Sequence, residues 1–337
     1  MTEAAAAVLV CGVEGTTLTQ AEREFFQRVS PSGVTLFAWN VPEPQDRIAD
    51  LIRSLQALRP SGSPPLVIAI DQEGGRVARL KAPPFPYHGP AMRLADGRDD
   101  GAALEVIHDL AQQVGTCLRE LGFNVDFAPV VDILTEPSNT AIGDRAFGTD
   151  VEPVCRRAGA YLQGLHAAGV KACLKHFPGQ GDARVDTHAG RALVDLPVKL
   201  LNDRELVPFR ALLSQAEMVM ISHCVYPQLA REEASRSPRI MGGLLRGEMG
   251  FKGLIVSDDM NMGAMPQDIQ AWKDALVEAV AAGADMLLVC RYLDKFQLAH
   301  EALVKAAAKS RAFDTRLTDA AARVLRFRSG LASPAAT

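Results

Sequence analysis

The chain has 337 residues and a mass of 36.2 kDa, which suits one large domain better than two domains of about 100–200 residues each. Hydrophobic residues make up 48% of the chain, charged residues 23%, and the formal net charge is −4, so the composition excludes a disordered chain and gives no sign of nucleic-acid binding. No apolar run reaches the roughly 18–20 residues that cross a bilayer, so we expect no membrane partner either.

Short apolar runs recur along the chain and predict eight buried strands. They are Ala6–Val13, Gly33–Trp39, Leu66–Asp71, Val125–Ile133, Val170–His176, Met218–Cys224, Leu254–Asp258 and Asp285–Cys290. The runs are almost continuously apolar, which is typical of parallel strands covered on both faces. Segments with helical spacing, such as 104–121 and 272–280, lie between them. This alternation predicts an α/β fold, a single-domain (β/α)₈ TIM barrel; a doubly wound open sheet is the alternative, but no Gly-x-Gly-x-x-Gly follows the first strand.

No linker or repeat divides the chain, so we expect one catalytic domain over residues 1–330 and a short tail over residues 331–337. The apolar stretch Ala4–Val13 has no preceding Lys or Arg, and we interpret it as a buried strand and not as a secretory signal. The six cysteines are scattered without Cys-x-x-Cys spacing, which predicts reduced thiols and a cytoplasmic protein.

Polar side chains stand where the predicted strands end. They are Asn40, Asp71, Asp132, Lys175, His176, His223, Asp258, Asp259 and Arg291. Because active sites of TIM barrels lie at the carboxyl ends of the strands, this ring predicts the position of a catalytic site.

Two long loops follow these strand ends, one after Asp71 and one after His176. The second loop contains Asp186 and His188, and its glycines, Gly179, Gly181 and Gly190, indicate hinge-like mobility. A carboxylate beside an imidazole can tune it as a general acid or base near neutral pH. Asp258, at a strand end, suits a carboxylate nucleophile or an electrostatic stabiliser. Glycosidic bond cleavage fits these groups, although glycosidases ordinarily pair two carboxylates.

Three alternatives to this chemistry stay open at this point. His176, Asp182, Asp186 and His188 could ligate zinc or manganese, although they lack a compact spacing such as His-Glu-x-x-His. Ser222 and His223 could form a nucleophile pair, but adjacent strand residues point to opposite faces. The third is a non-enzymatic barrel that binds sugar or serves as a scaffold.

Several segments resemble the signature of bacterial family 3 glycoside hydrolases of the β-N-acetylglucosaminidase type. They are Lys175–Asp182, Asp186–His188, Asp71–Val77, Phe127–Asp132, Gly143–Gly148 and Val256–Met260, in the same order as in the family. Two departures from the family pattern are Gln180, where histidine is expected, and Met260, where leucine is usual. The first bears on loop closure or on the leaving-group side of the site, and the acidic and histidine residues of the motif are intact.

The resemblance implies a retaining hydrolase that removes non-reducing terminal β-1,4-linked N-acetylglucosamine from 1,6-anhydro-muropeptides during cytoplasmic cell-wall recycling, without a metal or other cofactor. It implies Asp258 as the nucleophile that forms a glycosyl-enzyme and His188 as the acid/base, assisted by Asp186. The sugar hydroxyl groups would be held by Asp71, Arg79, Arg145, Lys175 and His176. A phosphorylase acting on the same linkage stays an alternative, because an imidazole base does not repel phosphate as a carboxylate would. So does a related β-glycosidase with another sugar specificity; the oligomeric state is left open.

Overall fold

The structure, a computed structural model, describes residues 2–97, 100–187 and 190–331. Within these residues eight parallel strands close into a barrel, in the order β1, β2, β3, β6, β7, β8, β9, β10 and back to β1. In chain order the strands are β1 (Leu9–Cys11), β2 (Gly33–Leu36), β3 (Val67–Ile70), β4 (Gln72–Gly74), β5 (Val77–Ala78), β6 (Val125–Asp126), β7 (Lys171–Phe177), β8 (Met218–Ile221), β9 (Leu254–Asp259) and β10 (Met286–Val289). The predicted (β/α)₈ barrel is confirmed, and the open-sheet alternative is wrong.

Helices surround the barrel. They are α1 (Thr2–Ala7), α2 (Gln20–Val29), α3 (Ile48–Gln56), α4 (Asp100–Leu121), α5 (Val151–Ala167), α6 (Val198–Leu200), α7 (Val207–Leu212), α8 (Ile269–Ala282), α9 (Leu293–Lys309) and α10 (Arg311–Ser329). Leu201–Glu205 and Arg239–Glu248 are π-helical. Among the described helices, none combines the length and the apolar character needed to cross a membrane.

The barrel strands are buried on both sides, which explains their continuous apolar sequence. In β3, Val67 and Ala69 belong to the core inside the barrel, whereas Ile68 and Ile70 pack in the layer between strands and helices. Every residue of this strand is buried. With two cores of this kind, most strand positions are apolar, and the few polar ones before the strand ends, such as Thr35 and Ser257, are buried.

Six of the predicted strands are longer than the observed ones, and the first and the fourth differ most. The first predicted strand begins at Ala6, but the alanine-rich start of the chain forms α1, which packs against α9 and α10, and β1 begins only at Leu9. The fourth predicted strand extends to Ile133, whereas β6 ends at Asp126 and only an isolated bridge from Val130 to Lys175 follows. Pro129, which has no amide hydrogen to donate, lies in that stretch.

A two-stranded antiparallel hairpin, β4 with β5, follows β3 directly. The sequence predicts only a long loop there. The hairpin folds the chain back so that Gln72 accepts hydrogen bonds from the amides of Arg79 and Leu80, at 2.8 and 3.1 Å. It therefore holds Arg79 close to the end of β3.

Candidate active site

A cavity of about 680 Å³ lies at the carboxyl ends of the barrel strands, the position in which TIM barrels carry their active sites. Its volume falls within the range of about 300–1,000 Å³ typical of small-ligand sites. Its lining includes seven of the predicted site residues, namely Asp71, Arg79, Arg145, Lys175, His176, Asp186 and Asp258. His188, the predicted acid/base, lies outside the described residues.

The floor of the cavity is an ion-pair network around Lys175. The Nζ atom of Lys175 lies 2.8 Å from Oδ1 of Asp71 and also pairs with Glu73, while Nη2 of Arg79 lies 3.2 Å from Oδ2 of Asp71. Burial acts to lower the pKa of Lys175, but Asp71 and Glu73 raise it above its ordinary value. Burial acts to raise the pKa of Asp71, and Lys175 and Arg79 outweigh it, so that this pKa is lowered. Lysine and carboxylate therefore both stay charged at neutral pH.

Glu73 is the member of this network that the sequence analysis missed. Arg145 donates to it from two nitrogens, Nε to Oε2 at 2.7 Å and Nη2 to Oε1 at 2.8 Å, in the bidentate geometry that favours arginine. Although burial acts to raise the pKa of Glu73, Arg145 and Lys175 hold it well below its usual range. The only sequence signal was its place in the Asp-Gln-Glu-Gly-Gly-Arg segment after β3.

His176 is fixed by charged groups on both sides of its ring. Nδ1 lies 2.7 Å from Oδ2 of Asp132, and Nε2 lies 3.5 Å from Nη2 of Arg145. An arginine can only donate, so the ring proton is assigned to Nδ1, which donates to Asp132. Asp132 also accepts from the amides of His176 and Gln180, which ties the loop after β7 to the end of the barrel.

Asp258 and Asp259 end β9 at the cavity wall. The amide of Asp259 donates to Oδ1 of Asp258 at 2.8 Å, which orients that carboxylate. The carboxylate of Asp259 in turn accepts from the amides of Asn261 and Cys290, at 3.0 and 3.2 Å. Burial raises the pKa of Asp259 to about 6. Through these contacts the carboxylate of Asp259 ties the end of β9 to the backbone around it, although Asp259 also lines the cavity.

The loop after β7 returns to the cavity at Asp186 and Thr187. The amide of Ala264, in the loop after Asp258, donates to the carbonyl oxygen of Thr187 at 2.9 Å. The side-chain amide of Gln180 donates to Oγ1 of Thr187 at 3.3 Å and accepts from Oγ of Ser222 at 3.0 Å. Gln180 is therefore a link between the loop that carries Asp186 and the end of β8.

Other residues of the predicted ring serve the surrounding structure. Asn40 donates to the carbonyl oxygens of Val13 and Gly15, and it does not line the cavity. His223 pairs with Oγ of Ser235 at 2.7 Å, whereas Ser222 bonds to Gln180. The alternative Ser222–His223 nucleophile pair is therefore wrong.

The alternative metal site also loses two of its ligands to other partners. His176 pairs with Asp132, and the carboxylate of Asp182 accepts from Thr135 and Arg204, at 2.9 and 3.1 Å. Over residues 2–97, 100–187 and 190–331, no three His, Cys, Asp or Glu side chains converge in a way that would hold a metal ion.

A closed parallel barrel with carboxylates and cations gathered in one cavity at its carboxyl end is the architecture of TIM-barrel glycoside hydrolases. Residues 6–327 match the model of the glycosyl hydrolase family 3 N terminal domain, and the chain belongs to this family. The resemblance recognised in the sequence is thereby confirmed, and the protein is an enzyme of the glycoside hydrolase class.

Similar proteins cover most of the chain. A protein named beta-hexosaminidase from Stenotrophomonas maltophilia is 39% identical over 295 residues, which are 84% of this chain and 83% of that protein. A family 3 beta-N-acetylglucosaminidase structure from Paenibacillus sp. has a TM-score of 0.91 and 31% identity, and the match covers 100% of this chain and 64% of that one. NagZ from Neisseria gonorrhoeae, solved in complex with N-trifluoroacetyl-D-glucosamine, has a TM-score of 0.76 and 28% identity, covering 94% of this chain and 98% of that one.

Gln180→Ala tests the link between the two loops. Loss of the hydrogen bonds to Thr187 and Ser222 should let Asp186 drift from its place on the cavity wall, so we expect kcat for glycoside hydrolysis to fall about tenfold with a smaller change in KM. Steady-state kinetics measure both constants. Gln163→Ala, at an exposed position of α5, is the matched control and should leave both unchanged. An unchanged kcat for Gln180→Ala at native thermal stability contradicts the positioning role.

Protonation of Asp126 should make the stability of the fold depend on pH. Asp126 is fully buried next to the network, its Oδ1 accepts from the amide of Gln72 at 2.9 Å, and burial raises its pKa to about 7. The folded state therefore holds a proton on Asp126 that the unfolded state releases near pH 4, and stability falls as the pH rises from about 4 through 7. Asp126→Asn, which imitates the protonated form, should be more stable than the wild type at pH 8 by roughly 1–3 kcal/mol.

Urea unfolding at pH 5 and pH 8 measures this difference. Glu205 and Asp259, whose pKa values burial raises to about 7 and about 6, remain in both proteins, so the comparison isolates Asp126. The control Asp319→Asn, at an exposed position of α10, should show the wild-type pH dependence. The same slope against pH in wild type and Asp126→Asn would rule out a proton on Asp126.

Proposed function

We propose that the chain is a retaining exo-β-N-acetylglucosaminidase that removes non-reducing terminal β-1,4-linked N-acetylglucosamine from 1,6-anhydro-muropeptide fragments in the cytoplasm. The observation that carries the proposal is the presence of Asp258 and Asp186 in one cavity with the Lys175 network. The names of the similar proteins, which include beta-hexosaminidase and beta-N-acetylglucosaminidase, support the choice of sugar. The same proposal takes residues 1–330 as one catalytic unit.

The network at the floor of the cavity is suited to recognise the terminal sugar. Carboxylates accept hydrogen bonds from hydroxyl groups, and lysine and arginine donate them. Lys175 pairs with Asp71 and with Glu73, and Glu73 also pairs with Arg145. These groups are therefore preorganised for a ring of hydroxyl groups before the substrate arrives. We assign hydroxyl binding to Asp71, Arg79, Arg145, Lys175 and His176.

Asp258 acts as the nucleophile in this proposal. A carboxylate oxygen attacks the anomeric carbon while the bond to the leaving oxygen breaks, and a glycosyl-aspartate with inverted configuration forms. Water then attacks the same carbon, the aspartate leaves, and the second inversion restores the original configuration. The hydrogen bond from the amide of Asp259 orients the attacking group.

His188 supplies and recovers the proton in these two steps. As an acid it protonates the departing oxygen, and as a base it takes the proton of the attacking water. Asp186, two residues earlier in the chain, stabilises the imidazolium form. The contacts of Thr187 with Gln180 and Ala264 support this role, because they hold the segment leading to His188 beside the cavity.

Asp258→Ala tests the nucleophile. We expect hydrolysis of an aryl β-N-acetylglucosaminide to fall by roughly 10³-fold or more, because no covalent intermediate can form. Added azide should occupy the vacated space and yield the α-glycosyl azide. In the wild type, a fluorosugar inactivator should label Asp258, as read by peptide mass spectrometry. Asp319→Ala is the control, and labelling of another side chain refutes the assignment.

His188→Ala tests the acid/base. A dinitrophenolate hardly needs protonation, whereas the alcohol released from a disaccharide does, so the loss of kcat/KM should be about 10²-fold smaller for the aryl substrate. Equal losses on the two substrates argue against a role as acid. Analysis of the products in phosphate buffer belongs to the same experiment. Free N-acetylglucosamine is expected, and a sugar 1-phosphate would instead identify the phosphorylase alternative.

A further inference from the structure

Three aromatic side chains and one arginine line the mouth of the cavity. They are Phe37, Trp39, Tyr292 and Arg291, and we call them the mouth wall. The rings of Phe37 and Trp39 stack with centroids 4.4 Å apart and an interplanar angle of 5°. The guanidinium carbon of Arg291 lies 5.0 Å from the ring centroid of Trp39 and 5.2 Å from that of Tyr292. These distances are within the range of cation–π contacts.

Two loops on either side of β1 build the mouth wall. Trp39 lies in the short 3₁₀ helix after β2, and Arg291 and Tyr292 follow β10, and both of these strands pair with β1. The indole nitrogen of Trp39 donates to the carbonyl oxygen of Val13 at 3.2 Å. This bond and the stacking on Phe37 fix the position of the indole, as preorganised binding surfaces require.

Arg291 differs from the other cations of the cavity in its partners. Arg79, Arg145 and Lys175 are paired with the carboxylates of Asp71 and Glu73, and Arg76 is paired with Asp144 at 3.1 Å. Within the described part of the chain, the contacts of the exposed Arg291 guanidinium are with rings, and it forms no ion pair with a carboxylate. Its hydrogen-bond donors are therefore available to an anionic ligand.

Exposure increases from the floor of the cavity to the mouth wall. Lys175 is 1% exposed, whereas Trp39 is 40% and Tyr292 49% exposed. A terminal sugar held by the buried network must therefore project the rest of the substrate towards the mouth wall. In an enzyme that cleaves the glycosidic bond of the terminal sugar, the leaving group therefore lies at the mouth wall.

We propose that the mouth wall is the leaving-group subsite, and that Arg291 selects leaving groups that carry a carboxylate. This inference rests on the proposed exo-glycosidase function and adds a substrate class to it. The rings of Trp39 and Tyr292 contact the apolar C–H edges of the leaving sugar, and Arg291 binds its carboxylate by charge-assisted hydrogen bonds. When the muramyl sugar carries no peptide, the carboxylate is the free lactyl group. When the peptide is attached, the lactyl carboxyl is an amide, and the carboxylate belongs to the peptide stem.

The test compares wild type and Arg291→Ala on three disaccharides. These are N-acetylglucosaminyl-β-1,4-(1,6-anhydro)-N-acetylmuramic acid, the same compound with its peptide stem, and neutral N,N′-diacetylchitobiose (below, chitobiose). We expect the ratio of kcat/KM for a carboxylate-bearing substrate to that for chitobiose to fall about tenfold or more in the variant. Loss on the peptide-free compound assigns the carboxylate to the lactyl group, and loss confined to the peptide-bearing compound assigns it to the stem.

Two further measurements separate charge from structure. Arg291→Lys should retain part of the selectivity, because it keeps the charge but loses the planar fork. Raised ionic strength should lower the selectivity ratio of the wild type and leave that of Arg291→Ala unchanged. Arg311→Ala, at an exposed position of α10 away from the cavity lining, should keep the wild-type ratio.

If the wild type hydrolyses aryl β-N-acetylglucosaminides and Arg291→Ala has the same selectivity as the wild type, the proposed subsite is refuted and the proposed function stands. Equal losses on all three disaccharides also refute the subsite, because they indicate a structural role for Arg291. A wild type that hydrolyses no N-acetylglucosaminide overturns the proposed function and this inference with it. The aryl substrate thus distinguishes the two failures.

Discussion

The ammonium group of Lys175 is the charge around which the site is organised. Its side chain is 2% exposed, and burying an ion costs several kcal/mol unless opposite charges surround it. Asp71 at the end of β3 and Glu73 in the hairpin supply those charges from a region about a hundred residues earlier in the chain, as the 104-residue separation of Asp71 and Lys175 shows. The ends of β3 and β7, neighbours of β6 on either side, are therefore fixed relative to each other by electrostatics as well as by the barrel.

The network extends outward because the two carboxylates need more than one cation. Asp71 and Glu73 carry two negative charges, and Lys175, Arg79 and Arg145 carry three positive ones. Asp126 is buried beside them, and burial raises its pKa to about 7, so below that pH the neutral acid adds no third negative charge. This excess of donors suits the recognition of hydroxyl oxygens, and it leaves the carboxylates ionised, so that they can accept from hydroxyl hydrogens.

The barrel could be predicted from the sequence because its strands are buried on both faces and read as continuous apolar runs. The ends of those runs could not be predicted so well, since an apolar residue such as Ala6 or Ile133 is buried equally by a helix, a strand or an unpaired segment. Most residues of the cavity that lie in long motifs could be predicted from the resemblance to the family. Glu73 was missed because its partner Arg145 lies 72 residues away and no local pattern connects them. Trp39 and Tyr292 were missed because single aromatic residues after strands look like ordinary core residues until the loops are brought together.

In the loop after β7, close packing explains why a position must be glycine, although the residue type alone suggests flexibility. Its glycines predict a hinge, yet a Cβ atom at Gly181 would lie 1.6 Å from the carbonyl oxygen of Ile133, so close packing alone demands glycine there. The backbone of Thr187 is bonded to Ala264, in the loop that follows Asp258. The loop that leads to the proposed acid/base is thus hydrogen-bonded to the loop that follows the proposed nucleophile. A glycosidase needs its nucleophile and its acid/base at a suitable separation across one bond. The bond from Ala264 restrains the described part of the loop, up to Thr187, relative to the end of β9 without requiring the loop to be rigid along its whole length.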